Sequence, residues 1–185
     1  MVEISLELAD EQKLLRRAQI DPHEFAPIYD HYFPQVYNYV RYRVQNPQWA
    51  DDLTAEVFQR ILAKLHTYSA QKASFRAWLF AIARNQVNDH FRAQKFHNWI
   101  SFDLLAQHSD DLPSPEQVVI RQDNHQSLLA AVQQLQPRER DIIALKFAAG
   151  LTNREIAKLL GLKESHVGVI LYRSLKQLRV LVDQE

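Results

Sequence analysis

Cations and amides line one face of a helix that the sequence predicts over residues 75–95. Arg84, Asn88 and Arg92 recur at intervals of four residues, which places them on one side of an α-helix. Guanidinium and amide groups near aromatic rings suit a surface that holds phosphates and stacks unpaired bases. A solvated helix face with one Asp89–Arg92 ion pair explains the same pattern equally well, so both interpretations stay open.

Side chains that could support catalysis are sparse. The chain has no cysteine, and its eight histidines show no HExxH or other paired spacing, so the pattern of a catalytic metal centre is missing. Asp89-His90 beside Arg92 is the nearest approach to a hydrolytic cluster, and a solvated helix surface explains it better. We therefore predict no catalytic residues, no cofactor and no metal site.

A helix-turn-helix pattern occupies residues 151–178. Thr152 and Glu155 form a T-x-x-E capping box, in which each side chain satisfies a free backbone N–H at a helix start. Gly161 follows an apolar stripe, at the point where a left-handed residue would end the helix. A second helical period of apolar residues begins directly afterwards. This arrangement is typical of the unit whose second helix enters the major groove of DNA; an ordinary helical hairpin is the alternative.

Glycine usage favours an all-α fold. All three glycines lie at or after position 150, and a long stretch without glycine has little use for tight hairpin turns. No run of 18 apolar residues occurs, and the N-terminus is acidic where a signal peptide would be basic. We therefore expect a cytoplasmic protein with no membrane insertion.

Apolar periodicity and charge divide the chain into three parts. Amphipathic helical patterns flank a segment that contains Asp110-Asp111-Leu112-Pro113-Ser114-Pro115, and residues 100–124 carry one basic and five acidic residues. We predict two small helical domains joined by a linker: a first domain over residues 1–95, an acidic linker over 96–124 and a second domain over 125–185.

The first domain contains a helix with a charged outer face. The pattern predicts that this helix begins at Asp51 or Asp52, and Asp52, Glu56, Arg60 and Lys64 then recur every four residues. By itself this spacing indicates a solvated ladder of ion pairs.

Several pieces of the sequence together resemble the extracytoplasmic-function (ECF) sigma factors of bacterial RNA polymerase. The pieces are FAPIYDHYFPQVYNYV, ADDLTAEVF and SFRAWLFAIARNQVNDHFR in the first half, and LQPRERDIIALKFAAGLTNREIAKLLGL with the following helix in the second. The resemblance runs from about Leu14 to Val182. Its D-L-x-x-E-x-F and F-R-x-W-L-x-x-I-A-x-N motifs are far more specific than a helix-turn-helix alone, which many regulators contain.

The resemblance implies a subunit that binds core polymerase and directs it to promoters. The first domain would dock on a coiled coil of the largest polymerase subunit through its second conserved helix, with Asp52, Leu53, Glu56 and Phe58 as the docking residues. The helix that starts at Phe75 would hold the melted strand of the −10 element. The residues implied there are Trp78, Arg84, Asn85, Asn88 and Arg92.

The second domain of such proteins reads the −35 element in duplex DNA. The implied contacts are Ser165, His166, Tyr172, Arg173 and Lys176. The family usually has a basic pair near the start of this recognition helix, where Gly168 and Ile170 stand here, so we expect weak phosphate affinity for the isolated second domain. Gly168 should also cost about 1 kcal/mol of helix propensity relative to alanine, unless DNA or a partner approaches the backbone there.

The expected partners are core RNA polymerase, promoter DNA and an anti-sigma factor, which commonly holds ECF sigma factors by wedging between the two domains or clamping them together. The alternative is a stand-alone helix-turn-helix transcription regulator that binds duplex DNA unaided. Such a regulator needs a sensor domain, typically α/β with glycine-rich turns, and the glycine-free first half argues against one.

Overall fold

The protein is described by a computed structural model of residues 8–104 and 123–182, with side chains described for residues 10–95 and 126–182. Within these ranges the regular elements are helices, which confirms the predicted all-α class. The first group of helices is α1 (Leu8–Ala18), α2 (Ala26–Arg43), α3 (Pro47–Lys64) and α4 (Phe75–Leu104). The second group is α5 (Asp123–Gln133), α6 (Pro137–Ile143), α7 (Asn153–Leu160) and α8 (Glu164–Val182).

Helices α2, α3 and α4 form the core of the first group. Val36 and Val40 of α2, Ile61 of α3, and Leu79 and Val87 of α4 are fully buried. Each such side chain stabilises the fold by roughly 1.5–3 kcal/mol relative to an exposed position. Within α2 and α4 these buried residues are four or eight positions apart, so they lie on one side of each helix. The three helices pack together through these apolar sides.

Helix α3 begins at Pro47, earlier than the start at Asp51 or Asp52 that the sequence pattern indicates. The Asn46 side chain accepts hydrogen bonds from the backbone N–H groups of Gln48 at 2.8 Å and Trp49 at 3.4 Å. Proline suits the first helical position because that position needs no N–H donor. Asn46-Pro47 is therefore a capped helix start.

Helix α4 continues through Leu104, past the end at Lys95 that the sequence predicts. No proline or glycine interrupts the sequence between Phe75 and Leu104, so no residue type breaks the helix. The first residues of the predicted linker are therefore helical. Residues 105–122, where most of that linker falls, lie outside the described residues.

The helix-turn-helix has the local structure that its sequence predicts. Thr152 Oγ1 accepts from the Glu155 N–H at 3.2 Å, and Glu155 Oε2 accepts from the Thr152 N–H at 2.9 Å, which confirms the capping box. Gly161 has φ 67° and ψ 37°, the left-handed conformation that glycine adopts at low cost. Val167 and Leu171 of α8 then face the core.

The two groups of helices pack against each other. Helix α2 contacts α5, α6 and the π-helical turn Ala144–Ala148, while α4 contacts α7. The helix-turn-helix therefore lies against the first group, and one face of α4 meets it.

Candidate nucleic-acid and polymerase interfaces

The residues predicted to contact the −10 strand lie on two adjacent faces of α4. Trp78, Asn85 and Arg92 are spaced by seven residues, so they share one face. Asn85 is exposed, and the Arg92 side chain is 75% exposed with an ion pair to Asp89 at 3.2 Å. Trp78 is half-buried and its ring centroid lies 5.4 Å from that of Tyr68. This face combines an amide, a cation and aromatic rings, which are the groups that a single strand needs.

Arg84 and Asn88 lie on the second face, which meets the second domain. Arg84 Nε donates to Oδ2 of Asp141 at 2.7 Å. Asn88 Oδ1 accepts from Arg43 Nη2 at 3.0 Å. Both side chains therefore have protein partners at positions where the sequence predicts contacts to DNA.

Asp141 of α6 is the centre of a buried polar cluster between the two domains. Its Oδ1 accepts from the Tyr39 hydroxyl at 3.0 Å and from Arg43 Nη1, while its Oδ2 accepts from Arg84. The side chains of Arg43 and Asp141 are each 6% exposed. Burial and the adjacent charge of Asp141 raise the pKa of Tyr39 above its ordinary value, so the phenol stays protonated and remains a donor.

Sequence reasoning missed this cluster. Asp141 stands in the charged run RERD, which has the composition of a solvated helix start. Its partner Arg43 is 98 positions away, so no local spacing connects them. The only available signal was weak: Asp141 directly precedes the buried pair Ile142-Ile143.

Arg140 adds positive charge beside the same cluster. Its guanidinium donates to the carbonyls of Gln133 at 2.6 Å and Leu135 at 3.1 Å, near the end of α5. Burial and the nearby charge of Arg43 lower the pKa of Arg140. The boundary around Asp141 therefore has more guanidinium groups than carboxylates, and its potential is positive apart from this one carboxylate.

Helix α8 presents every predicted −35 contact to solvent. Ser165, His166, Tyr172, Arg173 and Lys176 are all exposed. They lie opposite the buried side of the helix, which consists of Val167, Leu171, Ser174 and Leu178. The polar side of the recognition helix is thus free to meet a DNA groove.

Val169 belongs to the same exposed side of α8 and was not predicted. It is 47% exposed, and Tyr172 on the same side is 72% exposed. Apolar residues on a helix usually mark its buried side, so the sequence pattern gives no reason to select Val169. An exposed aliphatic group among polar ones is what contact with a thymine methyl requires.

Two of the residues predicted to dock on polymerase, Leu53 and Phe58, lie in the hydrophobic core of the first domain. Leu53 is 3% exposed and Phe58 is 4% exposed, because both lie on the side of α3 that packs against its neighbours. They hold α3 in place and offer no surface contact. Asp52 and Glu56 are exposed, and Glu56 accepts a hydrogen bond from Gln86 of α4.

A groove between α3 and α4 runs beside these two carboxylates. Trp49 stands at its rim with 41% exposure, and its ring centroid lies 5.2 Å from that of His90. Arg60 pairs across to Asp89 of α4 at 3.5 Å, so this residue of the expected ladder is bonded to the neighbouring helix. Exposed aromatic side chains next to charges are common at the centre of protein interfaces.

Comparison with known proteins identifies the family. The Sigma-70 region 2 family matches residues 28–97, and the Sigma-70 region 4 family matches residues 125–178. The ECF RNA polymerase sigma factor SigX of Bacillus subtilis is 31% identical over 163 residues, which cover 84% of this chain and 81% of SigX. The chain belongs to the ECF sigma factors. The ECF sigma factor BldN of Streptomyces coelicolor is 35% identical over 173 residues, which cover 92% of this chain and 66% of BldN.

The fold of this ECF sigma factor is shared with a solved member of the class. The sigma factor RpoE of Bartonella quintana, solved in complex with the anti-sigma factor NepR, superposes with a TM-score of 0.67 at 19% identity, covering 86% of this chain and 97% of that one. As an ECF sigma factor, the chain directs RNA polymerase in promoter-specific transcription. Within the described ranges, none of its helices has the length and apolar character needed to cross a bilayer.

Proposed function

We propose that this sigma factor binds core polymerase with the outer side of α3, holds the melted −10 strand along α4 and reads the −35 duplex with α8. The observation that carries the proposal is the exposed polar side of α8, which lies opposite a buried stripe and follows a capped helix and a left-handed turn. That geometry lets the helix enter a major groove without disturbing its own core.

The −35 contact divides into two kinds of interaction. Arg173 and Lys176 supply the cations that hold backbone phosphates and set the register of the helix. Ser165 and His166, at the start of α8, carry donors and acceptors for base edges. Val169 and Tyr172 add the apolar surface that distinguishes thymine from the other bases.

The −10 contact uses the exposed face of α4. Asn85 offers an amide to the edge of an unpaired base, and Arg92 offers a cation to the adjacent phosphate. The ring of Trp78, supported by Tyr68, provides a wall against which a base stacks. Arg84 and Asn88 would extend this surface once the second domain moves away.

Docking on polymerase uses the acidic side of α3. Asp52 and Glu56 present negative charge beside Trp49, a surface complementary to a basic helix of the partner. Leu53 and Phe58 are not included because they are buried. Their contribution is to hold the docking helix rigid.

Three further properties follow from this role. The sigma factor carries out no chemistry of its own, because its contribution is binding energy and DNA distortion.

Because RNA polymerase and its template share the cytoplasm, we place the chain there. By analogy with RpoE, which was solved with NepR, the regulatory partner is an anti-sigma factor.

The test is in-vitro transcription with bacterial core polymerase, this protein and fragmented genomic DNA from its source organism. We expect specific transcripts that depend on the protein. The double change Asn85→Ala, Arg92→Ala should abolish them while leaving the complex with core polymerase intact, because neither side chain belongs to the acidic docking side of α3.

A matched control is Arg16→Ala, which removes a cation from the exposed side of α1 and should leave transcription unchanged. If the protein neither binds core polymerase nor supports initiation, but shifts duplex DNA by itself, the stand-alone regulator replaces the sigma assignment. If the double variant transcribes normally, the assignment of the −10 strand to α4 is wrong.

A further inference from the structure

Every hydrogen bond that the structure gives to the Asp141 side chain comes from the other domain. Asp141 belongs to α6 of the second domain, whereas Tyr39, Arg43 and Arg84 belong to α2 and α4 of the first. Two guanidinium groups bonded to one carboxylate form charge-assisted hydrogen bonds, which are stronger than neutral ones. Because Arg43 and Asp141 are each only 6% exposed, solvent and salt screen this pair little.

A second set of contacts holds the other end of the boundary. Arg76 Nη1 donates to the carbonyl of Ala149 at 2.9 Å, and Ser74 Oγ donates to Glu155 Oε1 at 2.8 Å. Lys158 Nζ lies 3.3 Å from the Lys72 carbonyl oxygen. The second domain thus contacts the first from the loop before α4, through Glu155 and Lys158, to the middle of α4, through Asp141.

These contacts use groups that the promoter strand would need. Arg84 bonds to Asp141, and Asn88 bonds to Arg43, which is itself bonded to Asp141. Arg84 Nε therefore has no free donor in that direction for a phosphate, and the amide oxygen of Asn88 is engaged by Arg43. One face of α4 can therefore serve either the second domain or DNA, and not both together.

We propose that the second domain closes over the −10 face of the first and that Asp141 is the latch that holds this closed, inactive form. The inference rests on the proposed function, because it takes Arg84 and Asn88 to be DNA contacts. In the open form, a DNA phosphate would take the place of the Asp141 carboxylate beside Arg84. Opening would then exchange one anionic partner of Arg84 for another.

The charge of Asp141 decides the balance between the closed and open forms. Removing one partner of a buried ion pair leaves the other charge uncompensated. Asp141→Asn keeps the shape of the side chain but places a neutral group between two guanidiniums. We expect the equilibrium to shift toward the open form by at least about a hundredfold.

The closed form is measured by a chemical cross-link in the full-length chain. Lys72 and Lys158 are both exposed and lie on opposite sides of the boundary, so a short amine-reactive reagent joins them only while the domains are closed. We expect the Lys72–Lys158 cross-link in the natural sequence, identified by mass spectrometry of the digested protein. If the closed form is favoured about tenfold in the natural chain, a hundredfold shift lowers its fraction from about 0.9 to about 0.1, so Asp141→Asn should reduce the yield about tenfold.

Two further variants serve as a control and as an independent test of the Asp141 latch. Glu139→Gln removes a carboxylate from the same helix, but Glu139 bonds to the Gln136 N–H within the second domain, so the cross-link should persist. Arg84→Gln removes the partner on the first domain, from a side chain that is 26% exposed, and should reduce the cross-link even if Asp141→Asn folds poorly. Circular dichroism of each variant reports its folding.

A second measurement, the binding of single-stranded DNA, tests the latch separately from the assignment of Arg84 and Asn88 to the −10 surface. A fluorescent single-stranded oligonucleotide should bind Asp141→Asn about tenfold more tightly than the natural chain, because the same rise in the open fraction uncovers the face of α4 that carries Arg84 and Asn88. Loss of the cross-link without this gain supports the latch and removes Arg84 and Asn88 from the proposed −10 surface. An undiminished cross-link in both Asp141→Asn and Arg84→Gln overturns the latch.

Discussion

Gly168 and Gly161 both lie in the helix-turn-helix, but only one of them needs to be glycine. Gly168 sits inside α8, and a Cβ built there would meet only Asn153 Nδ2, at 3.9 Å. That distance is an ordinary van der Waals contact. Gly161 has open space around it, but its φ of 67° is strained for any residue with a side chain.

The same substitution should therefore have opposite effects at the two positions. Gly168→Ala should raise the free energy of unfolding by about 0.5–1 kcal/mol, because alanine has the higher helix propensity. Gly161→Ala should lower it by about 1 kcal/mol, because alanine disfavours the left-handed conformation. Urea titrations of the full-length variants measure both values.

The Gly168→Ala variant also tests whether DNA needs to approach the backbone closely at Gly168, where the family usually has a basic residue. If Gly168→Ala stabilises the protein and leaves transcription unchanged, the position is not used for close backbone approach to DNA. If Gly168→Ala destabilises the chain instead, α8 packs more tightly at this point than the Cβ distance indicates.

At the scale of helices, the sequence predicted those features that depend only on neighbouring residues. The capping box of Thr152 and Glu155, the turn at Gly161 and the apolar stripes each depend on residues within one or two turns. The start of α3 was missed because Asn46-Pro47 indicates both a turn and a capped helix, and local signals do not distinguish them. The length of α4 was missed because an acidic, proline-containing stretch made the preceding helical residues look like part of a linker.

The start of α7 is stabilised by a carboxylate whose titration can be followed. Burial by itself would raise the pKa of Glu155, but hydrogen bonds from the Thr152 N–H, the Ser74 hydroxyl and the Thr152 hydroxyl, with the charge of Arg76, outweigh burial and lower it below its ordinary value of about 4.5. The ionised form is therefore favoured more in the folded protein than in the unfolded chain.

We predict that this carboxylate makes the stability of the protein depend on pH in the acidic range. A lowered folded pKa contributes stability above the unfolded value of about 4.5, and this contribution is lost as the pH falls through the folded pKa. Glu155→Gln should lower the free energy of unfolding at pH 7 and flatten its acid dependence. Urea titrations at a series of pH values from neutral to strongly acidic measure this difference.

The control for this prediction is Glu164→Gln, which removes an exposed carboxylate from the first turn of the next helix. It should keep the acid dependence of the natural chain. Equal slopes for Glu155→Gln and the natural chain would show that the capping box does not depend on ionisation.

At the scale of the whole molecule, sequence reasoning identified the two domains but not the contact between them. The residues of each buried stripe follow a helical period, so a single pass along the chain reveals them. The bonds of Asp141 join positions 98 and 102 residues apart, and their partners are ordinary charged and aromatic residues. Such pairing is a property of the assembled surfaces, and it engages Arg84, a predicted DNA contact, with the second domain.

The closed arrangement has a consequence for the binding of duplex DNA by the free protein. The chain has a formal net charge of zero, and Arg43, Arg76 and Arg84 already have partners within the protein. Arg173 and Lys176 are the two cations assigned to the exposed side of α8. Each phosphate contact contributes about −0.9 to the slope of log K against log salt, so we predict weak duplex binding with a slope of about −2.

Fluorescence anisotropy of a labelled duplex, titrated at several salt concentrations, measures that slope. The double change Arg173→Ala, Lys176→Ala should bring it close to zero, whereas Arg138→Ala, on the exposed part of α6, should leave it unchanged. A slope of about −5 or steeper for the natural chain would require several more phosphate contacts. Those contacts would have to come from cations other than Arg173 and Lys176, and the assignment of the phosphate contacts to these two residues would then be incomplete.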